Sequence, residues 1–106
     1  MEKPYTFVAN LPEEVTIPEN GILSRTLQND ERSKVIAFGF AAGQELSAHT
    51  APMPAILYVA RGEARLKLGD DEMEARAGTL VHMEAKLEHG IHAVTPLVLL
   101  LVLLKQ

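Results

Sequence analysis

The sequence of 106 residues contains no cysteine and no tryptophan, and aromatic residues make up only 5% of it. Without cysteine there is no disulfide framework, no thiolate nucleophile and no thiolate metal ligand. Any metal binding or acid–base chemistry must therefore come from histidines and carboxylates. An excess of positive charge is also missing, because the net charge is −4 and no basic stripe is present. This balance argues against a nucleic acid as partner.

Long apolar segments are absent as well. Residues 1–11 mix charged and apolar side chains and lack the continuous apolar core of a signal peptide. The longest aliphatic run, residues 97–104, has eight residues, whereas a helix that crosses a bilayer needs about 20. We therefore predict a cytoplasmic protein with no membrane partner. The run itself predicts a strand that is buried on both faces.

Short β-rich segments dominate what is present. The apolar fraction of 47% and the length fit one domain, residues 1–106, with one core. Aliphatic and β-branched runs alternate with Gly, Asn, Asp and Pro, and no segment sustains a helical period. Residues 10–20 are interpreted as a turn-rich connection. The predicted strands are 21–27, 34–40, 44–49, 55–60, 64–68, 72–75, 80–83, 90–94 and 97–104.

Turn residues and alternation indicate how these strands pair. Residues 69–71 (Gly-Asp-Asp) and 29–30 (Asn-Asp) are typical of hairpin turns, so the flanking strands are predicted to be antiparallel. Ala64, Leu66 and Leu68 alternate with charged residues, which places one apolar face inward and one charged face in water.

Two glycine-and-histidine patterns carry the most specific signal, in residues 43–62 and 78–93. Gly43, His49 and Gly62 have the spacing of the first cupin motif, G-x5-H-x-H-x3–4-E-x6-G. Gly78 and His89 have the spacing of the second motif, G-x5-P-x-G-x2-H-x3-N. Over residues 34–104 the chain thus resembles a small single-domain cupin of the RmlC-like, conserved-barrel type.

That resemblance implies an all-β fold, the cupin double-stranded β-helix or jelly-roll barrel, with six to nine strands. We expect strand 97–104 at the centre of one sheet. Small cupins generally pair through their first strands and one sheet face, so the resemblance also implies a homodimer.

The metal-ligand positions of both motifs are degenerate. Ala51 stands where the second histidine of the first motif belongs, and Ala55 stands at the glutamate. Ala93 replaces the final asparagine of the second motif, while Glu84 and Lys86 replace its proline and glycine. Two of the four usual ligands are therefore missing.

Several histidines remain as candidate ligands for the divalent transition metal that the resemblance implies, which is Mn, Fe, Ni, Cu or Zn. We predict His49 and His89 as ligands, with His82 as the third donor because its strand is expected beside that of His89. His92 is a weaker candidate, since three residues along a strand reverse the face. Glu45, predicted on the His49 face, is a possible oxygen ligand.

The sequence leaves the function open between three hypotheses. The first is a metalloprotein that acts on or senses a small molecule. The second is a metal-free module that binds an apolar small molecule in the barrel, because Ala51 and Ala55 leave a more apolar cavity. The third is a non-catalytic scaffold or an altered sequence. Whether the protein is an enzyme is not decided at this level, because one fold hosts many activities.

Overall fold

Nine antiparallel strands and one short helix make up the part of the chain that the computed structural model describes, residues 3–106. The predicted all-β class is confirmed, and each predicted strand is present to within two residues. The elements are α1 (Leu11–Glu14), β1 (Ile22–Asn29), β2 (Ser33–Phe40), β3 (Glu45–His49), β4 (Ala55–Arg61), β5 (Glu63–Leu68), β6 (Asp71–Arg76), β7 (Leu80–Met83), β8 (His89–Ala93) and β9 (Leu97–Leu104).

The strands form two sheets that face each other as a jelly roll. The five-stranded sheet has the order β1-β2-β9-β4-β7, and the four-stranded sheet has the order β3-β8-β5-β6. The predicted central position of the aliphatic strand is confirmed, since β9 pairs with β2 on one side and with β4 on the other. The two predicted hairpins, β1-β2 and β5-β6, are antiparallel as expected.

Side chains from the inner faces of both sheets fill the middle of the barrel. Period-two alternation sends every second residue of β4, β5 and β9 into this space. The largest fully buried side chains are Phe40, Leu57, Val59, Leu66, Met83, Leu97, Val98 and Leu99. All of these except Val98 belong to one core cluster between the sheets. Val98 points outward and packs with Val15 and Ala37 under the chain around α1.

The interpretation of residues 10–20 as a connection without an element was wrong, because α1 lies within them. The Asn10 side-chain oxygen accepts from the Glu13 N–H at 3.2 Å, and the Glu14 carboxylate accepts from the Asn10 N–H at 2.7 Å. These reciprocal bonds cap the first turn, and Pro12 is favourable there. Among residues 3–106, no helix is long and apolar enough to cross a membrane.

Candidate functional site

Two histidines meet at one end of the barrel. His49 is the last residue of β3 and His89 is the first residue of β8, and the two are directly opposite each other in the four-stranded sheet. Their ring centroids lie 4.4 Å apart with the ring planes inclined at 52°. His89 is only 7% exposed, whereas His49 is open to solvent. One ring of the pair is therefore buried in the barrel and the other is in contact with solvent.

A β-bulge brings the two rings to the same face. Glu45 opposes His92 and Leu46 opposes Ile91, but the register then shifts, so that three residues of β3 span two of β8 before His49 meets His89. In a regular strand His49 would face the side opposite to Leu46, which packs on the core. The extra residue reverses that direction. The bulge is thus the device that turns His49 toward His89.

The same local hydrogen bond orients both imidazoles. Nδ1 of His49 lies 2.8 Å from the carbonyl oxygen of Ser47, and Nδ1 of His89 lies 2.9 Å from the carbonyl oxygen of Leu87. A carbonyl oxygen can only accept, so each Nδ1 carries the proton and donates. In the neutral rings each Nε2 then keeps its lone pair. Both histidines are consequently prepared to bind a metal ion or to accept a hydrogen bond through Nε2.

Two loops close around this end of the barrel. The Lys86 N–H donates to the carbonyl oxygen of Ala51 at 2.7 Å, which ties the segment before His89 to the segment after His49. Lys86 has φ +69°, the left-handed conformation that favours glycine. It stands where the second motif usually has its glycine, so the chain keeps the turn although the residue has changed.

Two partly buried leucines lie beside His89. Leu68 is directly opposite His89 on β5, and Leu87, whose carbonyl oxygen accepts from His89, packs against the core from the loop. Ala55, at the position of the missing glutamate, is 3% exposed and belongs to the core cluster. The position of the motif glutamate is therefore part of the packed core.

The structure does not bring His82 to the pair, and the expectation that its strand lies beside that of His89 was wrong. Strand β7 is the edge of the five-stranded sheet, next to β4, while β8 belongs to the other sheet. His82 opposes Ile56, whereas its neighbours Val81 and Met83 oppose the core residues Leu57 and Ala55. Alternation therefore places His82 on the outer face of the barrel.

Glu45 and His92 also lie away from the pair. They oppose each other across β3 and β8, with Glu45 Oε1 3.5 Å from His92 Nδ1, and both side chains are solvent-accessible. The prediction that Glu45 shares the face of His49 was wrong because the bulge separates them, whereas the prediction that His92 faces away from His89 is confirmed. They line an outer groove of about 340 Å³ with Arg65 and Lys67.

The pair offers two imidazole nitrogens as donors, a chemistry that suits a transition-metal ion. Within residues 3–106, no group of three or more His, Asp or Glu side chains is arranged to bind a metal ion. Two neutral imidazoles with free Nε2 atoms are suitable ligands for Zn, Cu, Fe or Ni, and they leave the other coordination positions to water or to a ligand.

Sequence reasoning missed the bulge and the outward direction of Glu45. The one local signal was Gly90, between His89 and Ile91. A Cβ at Gly90 would lie 3.3 Å from the backbone nitrogen of Ala48 and 3.3 Å from the backbone oxygen of Leu46. A glycine inside a strand indicates a bulge or a close backbone approach.

Solved structures of small bacterial proteins are similar to this one over nearly the whole chain. A conserved protein of unknown function from Streptococcus pyogenes is 28% identical with a TM-score of 0.85, covering 100% of this chain and 91% of its own. An RmlC-like cupin from Desulfovibrio desulfuricans is 26% identical with a TM-score of 0.83, covering 94% and 97%. A cupin superfamily protein from Desulfitobacterium hafniense is 21% identical with a TM-score of 0.88, covering 97% and 94%.

Among curated proteins, no sequence matches this chain significantly. The family model described as "Cupin domain" matches residues 37–103, which include both histidines of the pair and both motif segments. With that match, and with the two-sheet jelly roll already described, the chain belongs to the cupin family.

Proposed function

We propose that this cupin binds one divalent transition metal ion through Nε2 of His49 and His89, and receives a small molecule at the same end of the barrel. The observation that carries the proposal is the matched orientation of the two rings. Each Nδ1 donates to the carbonyl oxygen two residues earlier, and the ring centroids lie 4.4 Å apart. Such outer hydrogen bonds to metal-binding histidines fix the tautomer and raise the basicity of the other nitrogen.

A two-histidine site implies modest affinity and an open ion. With Ala51 and Ala55 at the other two motif positions, the protein supplies fewer ligands than the three or four of ordinary zinc sites. A bound ion would supply a Lewis acid with free positions for an oxygen or nitrogen atom of a small molecule. Leu68 and Leu87, which lie beside His89, would contact the apolar part of that molecule.

The experiment is metal analysis of tag-free protein after reconstitution with zinc or manganese and removal of free ion. We expect about one ion per chain, lost in both His49→Ala and His89→Ala, because each variant removes half of the protein ligands. His82→Ala and His92→Ala are matched controls, since these histidines face outward, and they should retain the ion. Binding that survives His49→Ala and His89→Ala, or no binding by the unaltered protein, would refute the proposal.

A second candidate is metal-free binding of an apolar small molecule at this end. The partly buried Leu68 and Leu87 beside His89 favour it, because an apolar surface next to two hydrogen-bond acceptors can bind and orient a molecule that carries an N–H or O–H group. This candidate predicts binding of an apolar fluorescent probe that a chelator leaves unchanged. If a metal ion is bound and the probe contacts it, the chelator should instead change the affinity for the probe.

A further inference from the structure

The chain contains three asparagines, and only Asn20 is followed by a glycine. The side-chain carbonyl carbon of an asparagine can be attacked by the backbone nitrogen of the next residue, because the two atoms are held close together along the chain. Glycine obstructs this attack least, since it has no Cβ and adopts conformations that other residues do not. The Asn20–Gly21 step is therefore the position where this intramolecular reaction meets the least steric resistance.

Hydrogen bonds hold the other two asparagines in place. The Asn10 side-chain oxygen accepts from a backbone N–H of α1 at 3.2 Å. The Asn29 side-chain oxygen accepts from Nζ of Lys105 at 2.6 Å. The nitrogen that would attack Asn29 is also engaged, because the Asp30 N–H donates to the carbonyl oxygen of Ser33 at 3.0 Å. Both side chains are thus kept in fixed orientations that oppose ring closure.

Asn20 and Gly21 lie in a bend before β1 that has no such constraints. The Asn20 side chain is exposed. Within residues 3–106, neither this side chain nor the Gly21 N–H makes a hydrogen bond. Gly21 has φ +86°, and a Cβ built there would meet no atom within 4 Å beyond its neighbours in the chain. The attacking nitrogen is therefore accessible, and packing does not restrict the bend around it.

We propose that Asn20 is a site of spontaneous deamidation, which converts it to aspartate and isoaspartate. The Gly21 nitrogen loses its proton to solvent base and forms a bond to the side-chain carbonyl carbon of Asn20. The C–N bond of the side-chain amide then breaks and ammonia leaves. Water opens the resulting cyclic imide, either at the side-chain carbonyl carbon, which gives aspartate, or at the backbone carbonyl carbon, which gives isoaspartate. Water is the only other reactant.

Isoaspartate lengthens the backbone by one carbon atom in a bend that is fixed on both sides. After the bend, the Gly21 carbonyl oxygen accepts from the Ala41 N–H at 3.0 Å at the start of the β1-β2 ladder. Before it, the carbonyl oxygen of Thr16 occupies the space that a Cβ at Gly39 would need. The extra atom must be accommodated between these contacts. We therefore expect disturbance at the start of β1 and unchanged metal binding by the histidine pair.

Incubation of the folded protein at mildly alkaline pH, followed by peptide mapping with mass spectrometry, tests this proposal. We expect conversion at Asn20 to be at least about tenfold faster than at Asn10 or Asn29, since neither of these precedes glycine. The rate should rise with pH, because the Gly21 nitrogen must lose its proton. Enzymatic methylation of the free α-carboxylate distinguishes isoaspartate from ordinary aspartate.

Two variants and one peptide complete the test. Gly21→Ala should slow the conversion at least about tenfold, because its methyl group obstructs the attack. Asn20→Gln keeps Gly21 and the fold, and should remove the reaction at this position, since its longer side chain must close a larger ring. Asn29→Gln is the matched control and should leave conversion at Asn20 unchanged.

Two results would overturn the proposal. The first is an Asn20 that stays intact in the folded protein while a synthetic peptide of residues 16–25 converts, because the fold would then protect the bend. The second is conversion at Asn10 or Asn29 as fast as at Asn20, because the hydrogen bonds and the following residue would then not decide the site.

Discussion

At the scale of single residues, the site depends on backbone groups as much as on the two imidazoles. Ser47 and Leu87 contribute only their carbonyl oxygens, yet these decide which nitrogen of each ring is free. Lys86 likewise acts through its backbone, because its N–H joins the two loops beside the pair.

Replacement of Lys86 by glycine should stabilise the protein. A residue with a Cβ at φ +69° costs about 1–2 kcal/mol, whereas the extra freedom of glycine in the unfolded chain costs about 0.4–1 kcal/mol. We therefore expect Lys86→Gly to raise the free energy of unfolding by roughly 0.5–1 kcal/mol in urea denaturation. Ala85→Gly, at a neighbouring exposed position without positive φ, is the control and should be neutral or destabilising. A loss of stability in Lys86→Gly would contradict this account of the turn.

At the scale of elements, the bulge in β3 makes the direction of His49 depend on the packing of β3 against Gly90. Gly90 lies against the bulge, and its missing Cβ leaves room for the backbone of Leu46 and Ala48. The bulge in turn sets the direction of His49. We therefore expect a change in packing at Gly90 to alter the position of His49 relative to His89, although Gly90 is not itself a ligand.

Gly90→Ala should affect stability and metal binding together. The added methyl group would lie 3.3 Å from two backbone atoms, which must shift by a few tenths of an ångström. We expect a loss of roughly 1–2 kcal/mol in the free energy of unfolding, typical of overpacking. We also expect a weaker zinc affinity, measured by titration calorimetry, because His49 moves with the bulge. An unchanged zinc affinity would show that the bulge does not control the position of His49 in the site.

The β1-β2 hairpin provides a pH-dependent element. One carboxylate oxygen of Asp30 accepts from the Arg32 N–H at 2.7 Å and from the Ser33 N–H at 2.9 Å. These backbone donors, Arg32 first, lower the pKa of Asp30 below its ordinary value of 3.8. A carboxylate with a lowered pKa in the folded state stabilises that state above its unfolded pKa, and the contribution is lost as the pH falls through the folded pKa.

We accordingly expect Asp30→Asn to lower the melting temperature at neutral pH. The difference from the unaltered protein should shrink as the pH is lowered below about 4, because protonation then removes the Asp30 charge that the variant lacks at every pH. Thermal unfolding followed by circular dichroism across this range is the measurement. A difference in melting temperature that stays constant down to about pH 3 would contradict the stated cause.

The strands were predictable because their signals are local. Alternation at Ala64, Leu66 and Leu68, together with turn residues at both ends, specifies β5 without knowledge of its neighbours. The helix α1 also has local signals, Asn10 as N-cap and Pro12 in the first turn. It has only four residues, however, so its sequence is too short to show a helical period.

The site was predictable only in part, because strand order and bulges are properties of the assembled sheets. Motif spacing identified His49 and His89, which meet. His82 was misplaced because nothing local in residues 80–83 shows which sheet β7 joins. Glu45 was misplaced because one extra residue between Leu46 and His49 reverses the face, and period-two counting assumes that no such residue exists.

At the scale of the whole molecule, the histidine pair and the outer face of the five-stranded sheet are far apart in the fold. The pair is on the inner side of the four-stranded sheet, at one end, whereas Tyr58 and Leu80 are on the outside of the five-stranded sheet. The filled core between them, which includes Leu57 and Leu66, resists small rearrangements. A change at Leu80 should therefore leave the histidine pair undisturbed.

Zinc titration of two variants checks this separation. We expect Leu80→Asp to bind zinc with an affinity within about twofold of the unaltered protein, since sites without shared contacts behave additively. His49→Ala should lose the ion while its circular dichroism stays unchanged. Loss of zinc binding in Leu80→Asp would show that the outer face of the five-stranded sheet contributes to the site.

A crystal structure of the zinc-loaded protein, with anomalous diffraction at the zinc edge, would locate the ion relative to the two histidines. We expect one anomalous peak per chain, about 2.0–2.1 Å from Nε2 of both His49 and His89, with each Nδ1 still donating to its carbonyl oxygen. A peak elsewhere, for example between Glu45 and His92, or none at the pair at full zinc loading, would contradict the claim that these two histidines form the functional site.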